Sequence, residues 1–325
     1  MKPFNLFPYG INIHFMRLRW VSLGMAALLM FVSIGTMIAN TFPGGHFNGA
    51  TTFNYALDFT GGTVTELRFD KAIDVDVVRG RLDSAGYVGA QVQNYGASND
   101  LLIRLRSEAG GKAAAQTAED IVRAVSAPDN PAKVVKSDFV GPQVGKDLAL
   151  NGFYALLFVM IGFLIYISFR FEFKFAIAAI IATLHDVSIV CGWFAITGHE
   201  FNLNVLAGVL AVMGFSINDT IVVFDRVREN FRSMRAEPRE IMNLAINQTL
   251  SRTIITSFVA FLSMLALYMF GGESLRGLAE AQIIGVVIGT LSSIFVACPL
   301  LLWMNVTKQD LMPKAKDEAA LARRP

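Results

Sequence analysis

Four ionisable side chains stand inside or at the edge of long apolar runs: His185 and Asp186 near the middle of one, Asp219 towards the end of another, and Arg252 just inside a third. A charge at the bilayer centre costs about 2.5–3.5 kcal/mol on insertion scales, which makes each a functional candidate by default. Asp219 lies in Gly214-Phe215-Ser216-Ile217-Asn218-Asp219-Thr220-Ile221-Val222-Val223-Phe224, five residues from the end of its run. At helical rise that is about 7.5 Å. Arg252 follows Thr249, the start of its own run, by three residues, which places the two at similar depth on adjacent antiparallel helices. Helices packed about 8–10 Å apart let a long Arg side chain reach that carboxylate. The chemistry this suggests is a switchable ion pair on a proton path. The plain alternatives are a static structural pair or an Arg that snorkels to the headgroups.

His185 and Asp186 are sequence neighbours, and adjacent helical residues point about 100° apart. If one faces the Asp219 run, the other is expected to face elsewhere. Asp186 is placed to join Asp219 in a relay; alternatively, the pair simply satisfies nearby hydroxyls such as Thr183 and Ser188. Asp186 and Asp219 also raise the idea of an intramembrane aspartyl protease. That idea is set aside, because Ile217-Asn218 precedes Asp219 where that class has Gly-x-Gly, and Arg252 would keep one carboxylate ionised. Asp225 and the run Arg226–Arg235 read as solvated marks of a membrane exit.

The elements that must hold these residues follow from composition. Of 325 residues, 54% are hydrophobic and a further 27 are glycine, while only 17% are charged against about 25% in soluble chains. A soluble enzyme is excluded. The net charge of +2 leaves no basic surplus for nucleic acid. The two cysteines, Cys191 and Cys298, sit in apolar runs and form no disulfide or zinc pattern. Phosphate-loop, GxSxG and HExxH motifs are absent, so no enzyme activity, cofactor or metal is expected.

A bilayer core needs about 20 apolar residues per helix. Six runs qualify: Trp20–Ala39, Leu148–Phe169, Phe175–Thr197, Leu203–Phe224, Thr249–Phe270 and Ile283–Met304. Lys and Arg crowd the N-terminus (Lys2, Arg17, Arg19), the turn with Arg170 and Lys174, the segment Arg226–Arg239 and the tail from Lys308. The opposite short loops, Gly198–Asn202 and Gly271–Gln282, hold only Arg276. The positive-inside rule then makes both termini cytoplasmic. The first run is too long for a signal-peptide core, and Thr36-Met37-Ile38-Ala39-Asn40 is a poor cleavage site, so an uncleaved span is expected. The expected layout is a cytoplasmic N-terminus over 1–19, a first span over 20–39, an exported domain over 40–147, a five-span bundle over 148–304 and a cytoplasmic tail over 305–325.

Within the exported segment, Thr63–Phe69 and Leu101–Arg106 alternate apolar and polar residues as strands do. Ala90–Tyr95 and Lys133–Val140 are weaker strand candidates. Asp74–Gly86 reads as a helix capped by Asp74 and stopped by Gly86, and Gly111–Ser126 as a second one ended by Pro128. The order β-α-β-β-α-β predicts a ferredoxin-like α+β unit. Gly61 and Gly62 fit a tight turn with positive φ. Gly141 and Pro142 fit the point where the chain turns into the second span. All four read as structural or hinge positions. Gly285 and Gly289, with Gly208 and Gly214, suggest close helix packing.

Four stretches together resemble the SecD/SecF family of export membrane proteins: Asp58-Phe59-Thr60-Gly61-Gly62, Val140-Gly141-Pro142, Ser216–Asn230 around Asn218-Asp219, and Gln248–Ser257 around Arg252. The resemblance covers about residues 10–305. It implies a polytopic α-helical protein of six transmembrane helices, half of a twelve-span unit of the resistance-nodulation-division superfamily, with SecD supplying the other half. It further implies a bacterial inner-membrane subunit that uses the proton-motive force, beside the Sec channel complex and YajC, to complete export of unfolded preproteins. The positions matching Asp219 and Arg252 belong to that family's proton pathway. The assignment of His185 and Asp186 to that pathway comes from the residues alone. The competing readings are a proton-coupled exporter of a small molecule or lipid, and a structural subunit without transport of its own.

Overall fold

The computed structural model describes residues 12–87, 90–95, 97–105 and 114–307. A 3-10 turn, Phe15–Leu18, leads into α1 (Arg19–Thr41). Next come β1 (Asn54–Tyr55), the one-turn helix α2 (Leu57–Thr60) and β2 (Gly62–Phe69). They are followed by α3 (Val75–Ser84), β3 (Gln91–Tyr95), β4 (Ala97–Leu105), α4 (Ala114–Val125) and β5 (Ala132–Val140). The rest is largely helical: α5 (Pro142–Arg170), α6 (Phe173–Thr197), β6 (Glu200–Phe201), α7 (Leu203–Ser233) and α8 (Pro238–Phe270). Finally, α9 (Glu273–Ser292) passes through a π-helical turn, Ser293–Ala297, into α10 (Cys298–Trp303). The chain divides into two compact units, one of Met1–Ala39, Leu157–Thr197 and Ala207–Pro325, the other of Asn40–Leu156 and Gly198–Leu206.

The second unit contains the inserted α+β domain. Its sheet has the antiparallel order β3-β4-β2-β5, the ferredoxin-like arrangement the element order implies. Alternation along β2 and β4 sends Leu67, Phe69, Leu101 and Ile103 inward against Val78 and Leu82 of α3 and Ile121 and Val125 of α4. Each fully buried side chain of this kind contributes about 1.5–3 kcal/mol. The Asp74 carboxylate caps α3 by accepting from the Asp76 amide at 2.8 Å, and Gly86 takes φ 91° just past the helix. β4 begins four residues earlier than the alternation suggests, with Ala97 paired to Tyr95 of β3 and Asp100 to Arg68 of β2. Arg106 and residues 111–113, included in the expected strand and helix, lie outside the described residues.

Among the described residues, six helices are long and apolar enough to cross a membrane: Phe15–Thr41, Gln143–Arg170, Phe173–Thr197, Leu203–Ser233, Pro238–Phe270 and Ser274–Trp303. Most exceed the apolar runs. α7 continues nine residues past Phe224, and α8 starts eleven before Thr249. Charges dilute the apolar signal there, yet Val227, Phe231, Ile241, Met242, Ala245 and Ile246 recur at helical spacing and are buried in the bundle core. The expected loop Gly271–Gln282 is likewise mostly helix, since α9 starts at Glu273 after Gly272 at φ 74°. Arg276 therefore sits on a helix, with its guanidinium over the Tyr268 ring. α6, α7 and α9 bury much of their surface, whereas α1, α5 and α8 leave most of theirs uncovered.

Candidate functional site

The polar groups inside the bundle are gathered where α6, α7, α8 and α9 meet. Asp186 on α6 is fully buried. Its Oδ2 accepts hydrogen bonds from Ser216 of α7 and Ser292 of α9, each at 2.6 Å, and its Oδ1 lies 2.9 Å from His185 Nδ1. One carboxylate thus joins three helices. His185 and Asp186 do not diverge as adjacent positions suggest: both are buried, because the imidazole folds back onto its neighbour's carboxylate. The local hydroxyls Thr183 and Ser188 are not the partners. Each donates to the carbonyl one turn back, Ala179 and Leu184 respectively.

Asp219 is also buried, three residues after Ser216 on α7. Its Oδ2 lies 3.3 Å from the hydroxyl of Ser257 on α8, and Thr290 of α9 donates to Ser257 at 2.7 Å. The two carboxylates are therefore tied to α9 at Ser292 and Thr290, directly in one case and through Ser257 in the other. Arg252 lies one turn ahead of Ser257 and Thr256 on α8 and is exposed. Among the described residues no ion pair within 4 Å joins it to Asp219. The expected pair is open in this arrangement. Because α8 starts at Pro238, Arg252 stands fourteen residues inside a helix rather than at its start.

Small residues let these helices approach. A side chain on Gly208 would press on Ala281 and the Leu278 carbonyl, and one on Gly285 would overlap Val212. A Cβ on Gly289 would lie 3.4 Å from Ser216 and 3.7 Å from Asp186 Oδ2. Gly214, by contrast, faces open space. Among the described residues, three polar atoms on or beside these positions are buried with no hydrogen-bond partner: His185 Nε2, Thr220 Oγ1 and Thr253 Oγ1. Buried groups of this kind are costly unless another partner is available in some state. Asp225, at the far end, pairs with Arg170 and Arg228 at 3.1 and 2.9 Å.

The glycine positions fall in the other unit. Gly61 and Gly62 adopt φ 67° and 131°, ending α2 and starting β2. A Cβ on Gly145, one turn into α5, would lie 2.9 Å from the Gly61 amide nitrogen and 3.0 Å from the Phe59 carbonyl oxygen. A Cβ on Gly141 would meet nothing within 4 Å, and Pro142 is the first residue of α5, where its missing N–H is harmless. Four hydroxyls that hydrogen-bond within this cluster, Ser216, Ser257, Thr290 and Ser292, are not among the candidate site residues that the sequence singles out. Only Ser216 carries a local signal, standing three residues before Asp219 on the same helical face.

These features define a polytopic membrane protein with six spans, an α+β insertion after the first, and buried carboxylates on the third and fourth. The family model for "Protein export membrane protein SecD/SecF, C-terminal" matches residues 119–307, and that for the "SecD/SecF GG Motif" matches residues 49–73. Protein translocase subunit SecF of Pseudomonas aeruginosa is 41% identical over 310 residues, covering 94% of this chain and 96% of the relative. The SecF of Escherichia coli O157:H7 is 38% identical over 94% of this chain and 92% of its own length. The crystal structure of SecDF, a translocon-associated membrane protein from Thermus thermophilus, superposes with a TM-score of 0.80 at 34% identity over 93% of this chain. SecDF in a super-membrane-facing form gives 0.66 at 33% identity over 92%. This chain spans 40% of the length of each of those SecDF chains. It belongs to the SecF family of protein translocase subunits.

Proposed function

We propose that this chain is the six-span half of a twelve-span unit completed by SecD, and that the unit uses the proton-motive force to promote late steps of preprotein export. In this reading it is not an enzyme. It lies in the bacterial inner membrane with both termini cytoplasmic and the α+β domain exported, beside the Sec channel complex and YajC. The observation that carries the reading is Asp219: a carboxylate buried in an apolar bundle, reached by a hydroxyl chain from two neighbouring helices, with Arg252 on the helix that carries Ser257 and, among the described residues, in no ion pair with it. Asp186 and His185 form a second ionisable pair beside it on the proposed pathway. Gly61, Gly62, Gly141 and Pro142 serve as its structural and hinge positions.

A proton arriving on Asp219 removes the charge that attracts Arg252, and its departure restores that attraction. The open arrangement, with Ser257 on Asp219, and a closed one, with Arg252 on Asp219, are then the two states of a charge switch. One charge moved through 100 mV supplies about 2.3 kcal/mol, which shifts such an equilibrium about 50-fold. The largely uncovered faces of α1, α5 and α8 provide apolar surface for lipid and for the SecD half. The test is preprotein export into inverted membrane vesicles with the SecD partner present. Dissipating the proton gradient with an uncoupler is expected to abolish the stimulation given by this subunit. A stimulation that survives the uncoupler contradicts the proposal.

A further inference from the structure

The chain just before α7 is fastened to the inserted domain at several points. β6 pairs in parallel with β1, Asn54 with Glu200 and Tyr55 with Phe201, and the Ala56 amide donates to the Phe201 carbonyl at 2.9 Å. Phe201 stacks on Phe53 with ring centroids 4.6 Å apart and meets Tyr55 and Phe59 edge-on or tilted. Glu200 pairs with Arg104 of β4. At the helix start itself, the Leu203 amide donates to Asp58 Oδ2 at 3.0 Å, while the Val205 amide donates to Asn202 Oδ1 at 2.9 Å. The first amides of a helix have no partner within it, and a carboxylate there also meets the positive end of the helix dipole. Asn202 is the local cap. Asp58 is a second one, brought from 145 residues away.

Asp58 itself stands in a closed turn. It lies in α2, closed by the Gly61 amide donating to the Leu57 carbonyl at 2.9 Å. Gly61 and Gly62 then turn the chain directly into β2, which lies between β4 and β5 in the sheet. At the other end, α7 runs sixteen residues from Leu203 to Asp219, about 24 Å of continuous helix. From this geometry we infer that Asp58 is a positioning residue that clamps the first turn of α7 to the base of β2, so that displacement of the Asp219 helix is passed to the inserted sheet. The inference rests on the proton-driven reading above. It gives the aspartate of the Asp58–Gly62 turn a mechanical task distinct from the conformational one of its glycines.

The experiment compares wild type, Asp58→Ala, Asp58→Asn and Asp219→Asn in the full chain with its SecD partner, at equal membrane abundance. Two readouts are taken: amide hydrogen exchange over the first turn of α7, and proton-motive-force-dependent export in inverted vesicles. Asp58→Ala is expected to speed exchange at Leu203 about tenfold or more while α6 and α9 exchange as before. It is expected to lower the stimulation of export about fivefold or more. Asp58→Asn keeps an acceptor oxygen and is expected to restore both. If Asp58→Ala fails to accumulate, Asp58→Ser, too short to reach Leu203, takes its place. Unchanged exchange in Asp58→Ala, or full stimulation despite faster exchange, overturns the clamp. If Asp219→Asn keeps full stimulation, the proton-driven reading falls instead, and the exchange data alone decide whether Asp58 holds α7.

Discussion

Ser216 donates a hydrogen bond to Asp186 at 2.6 Å, joining α7 to α6 three residues before Asp219. Ser292 reaches the same oxygen from α9, immediately before the π-helical turn. Such turns are over-represented at functional sites, and here one adjoins Ser292, a donor to the carboxylate that joins three helices. Asp186 therefore positions the helix that carries Asp219 as well as standing beside it.

The strength of that junction is measurable. Interhelical hydrogen bonds in membranes contribute about 0.6–1.7 kcal/mol each. The double variant Ser216→Ala/Ser292→Ala leaves the buried Asp186 with only His185, and is expected to destabilise the detergent-solubilised protein by about 1–3 kcal/mol. Thermal unfolding checks this. A double variant that melts with wild type would show that the network contributes nothing to stability.

Gly145→Ala and Gly141→Ala are expected to differ sharply. The first pushes a methyl group against the Gly61 amide and Phe59 carbonyl, backbone atoms that no side-chain rotation can move away. The second meets nothing within 4 Å. Overpacking of this kind costs about 1–3 kcal/mol. Melting midpoints of the two variants, measured side by side, provide the check, and equal midpoints would deny the close approach of α5 to the Gly61–Gly62 turn.

Gly285 and Val212 form a separate test of α7–α9 packing. Gly285→Ala overlaps Val212, and trimming the neighbour in Gly285→Ala/Val212→Ala is expected to recover most of the lost stability. Contacting residues show couplings of about 0.5–3 kcal/mol. A double-mutant cycle without coupling would mean the two helices do not meet there.

In the inserted domain, both Asp100 oxygens accept from Arg68, Oδ1 from Nε and Oδ2 from Nη2, each at 2.8 Å. This hydrogen bonding, opposed by partial burial and reinforced by the guanidinium charge, holds the Asp100 carboxyl below the usual carboxylate range. A lowered folded-state value means the contribution to stability is complete above about pH 4 and is lost as pH falls through the lowered value. Because Arg68 is more than half exposed, solvent keeps the effect small. Carbon-13 NMR of the Asp100 carboxyl is expected to show a low midpoint that rises in Arg68→Gln. Identical midpoints would remove the pair's electrostatic role.

The six spans and the ferredoxin-like insertion are legible in the sequence because long apolar runs and two-residue alternation are one-dimensional signals. Where spans extend past those runs, charges on the solvent face hide buried residues such as Val227, Phe231 and Ala245 on the other. Asp219, Arg252, His185 and Asp186 stand out because ionisable groups in apolar runs are rare. Their partners do not, since Ser292 is 106 residues from Asp186 and nothing local announces that contact. The Arg252–Asp219 distance depends on how far a long side chain extends, which helical spacing does not fix. The parallel pairing of β1 with β6 is equally invisible: each strand is two residues long and shows no alternation to read.

The most direct test of the charge switch compares preprotein export by wild type, Asp219→Asn and Arg252→Met in inverted vesicles, at equal abundance and with SecD assembled. Both variants are expected to insert and assemble normally yet lose the stimulation that a proton-motive force gives wild type. Full stimulation in either variant would contradict the switch, leaving Asp219 and Arg252 as structural groups and placing the driving chemistry in a partner.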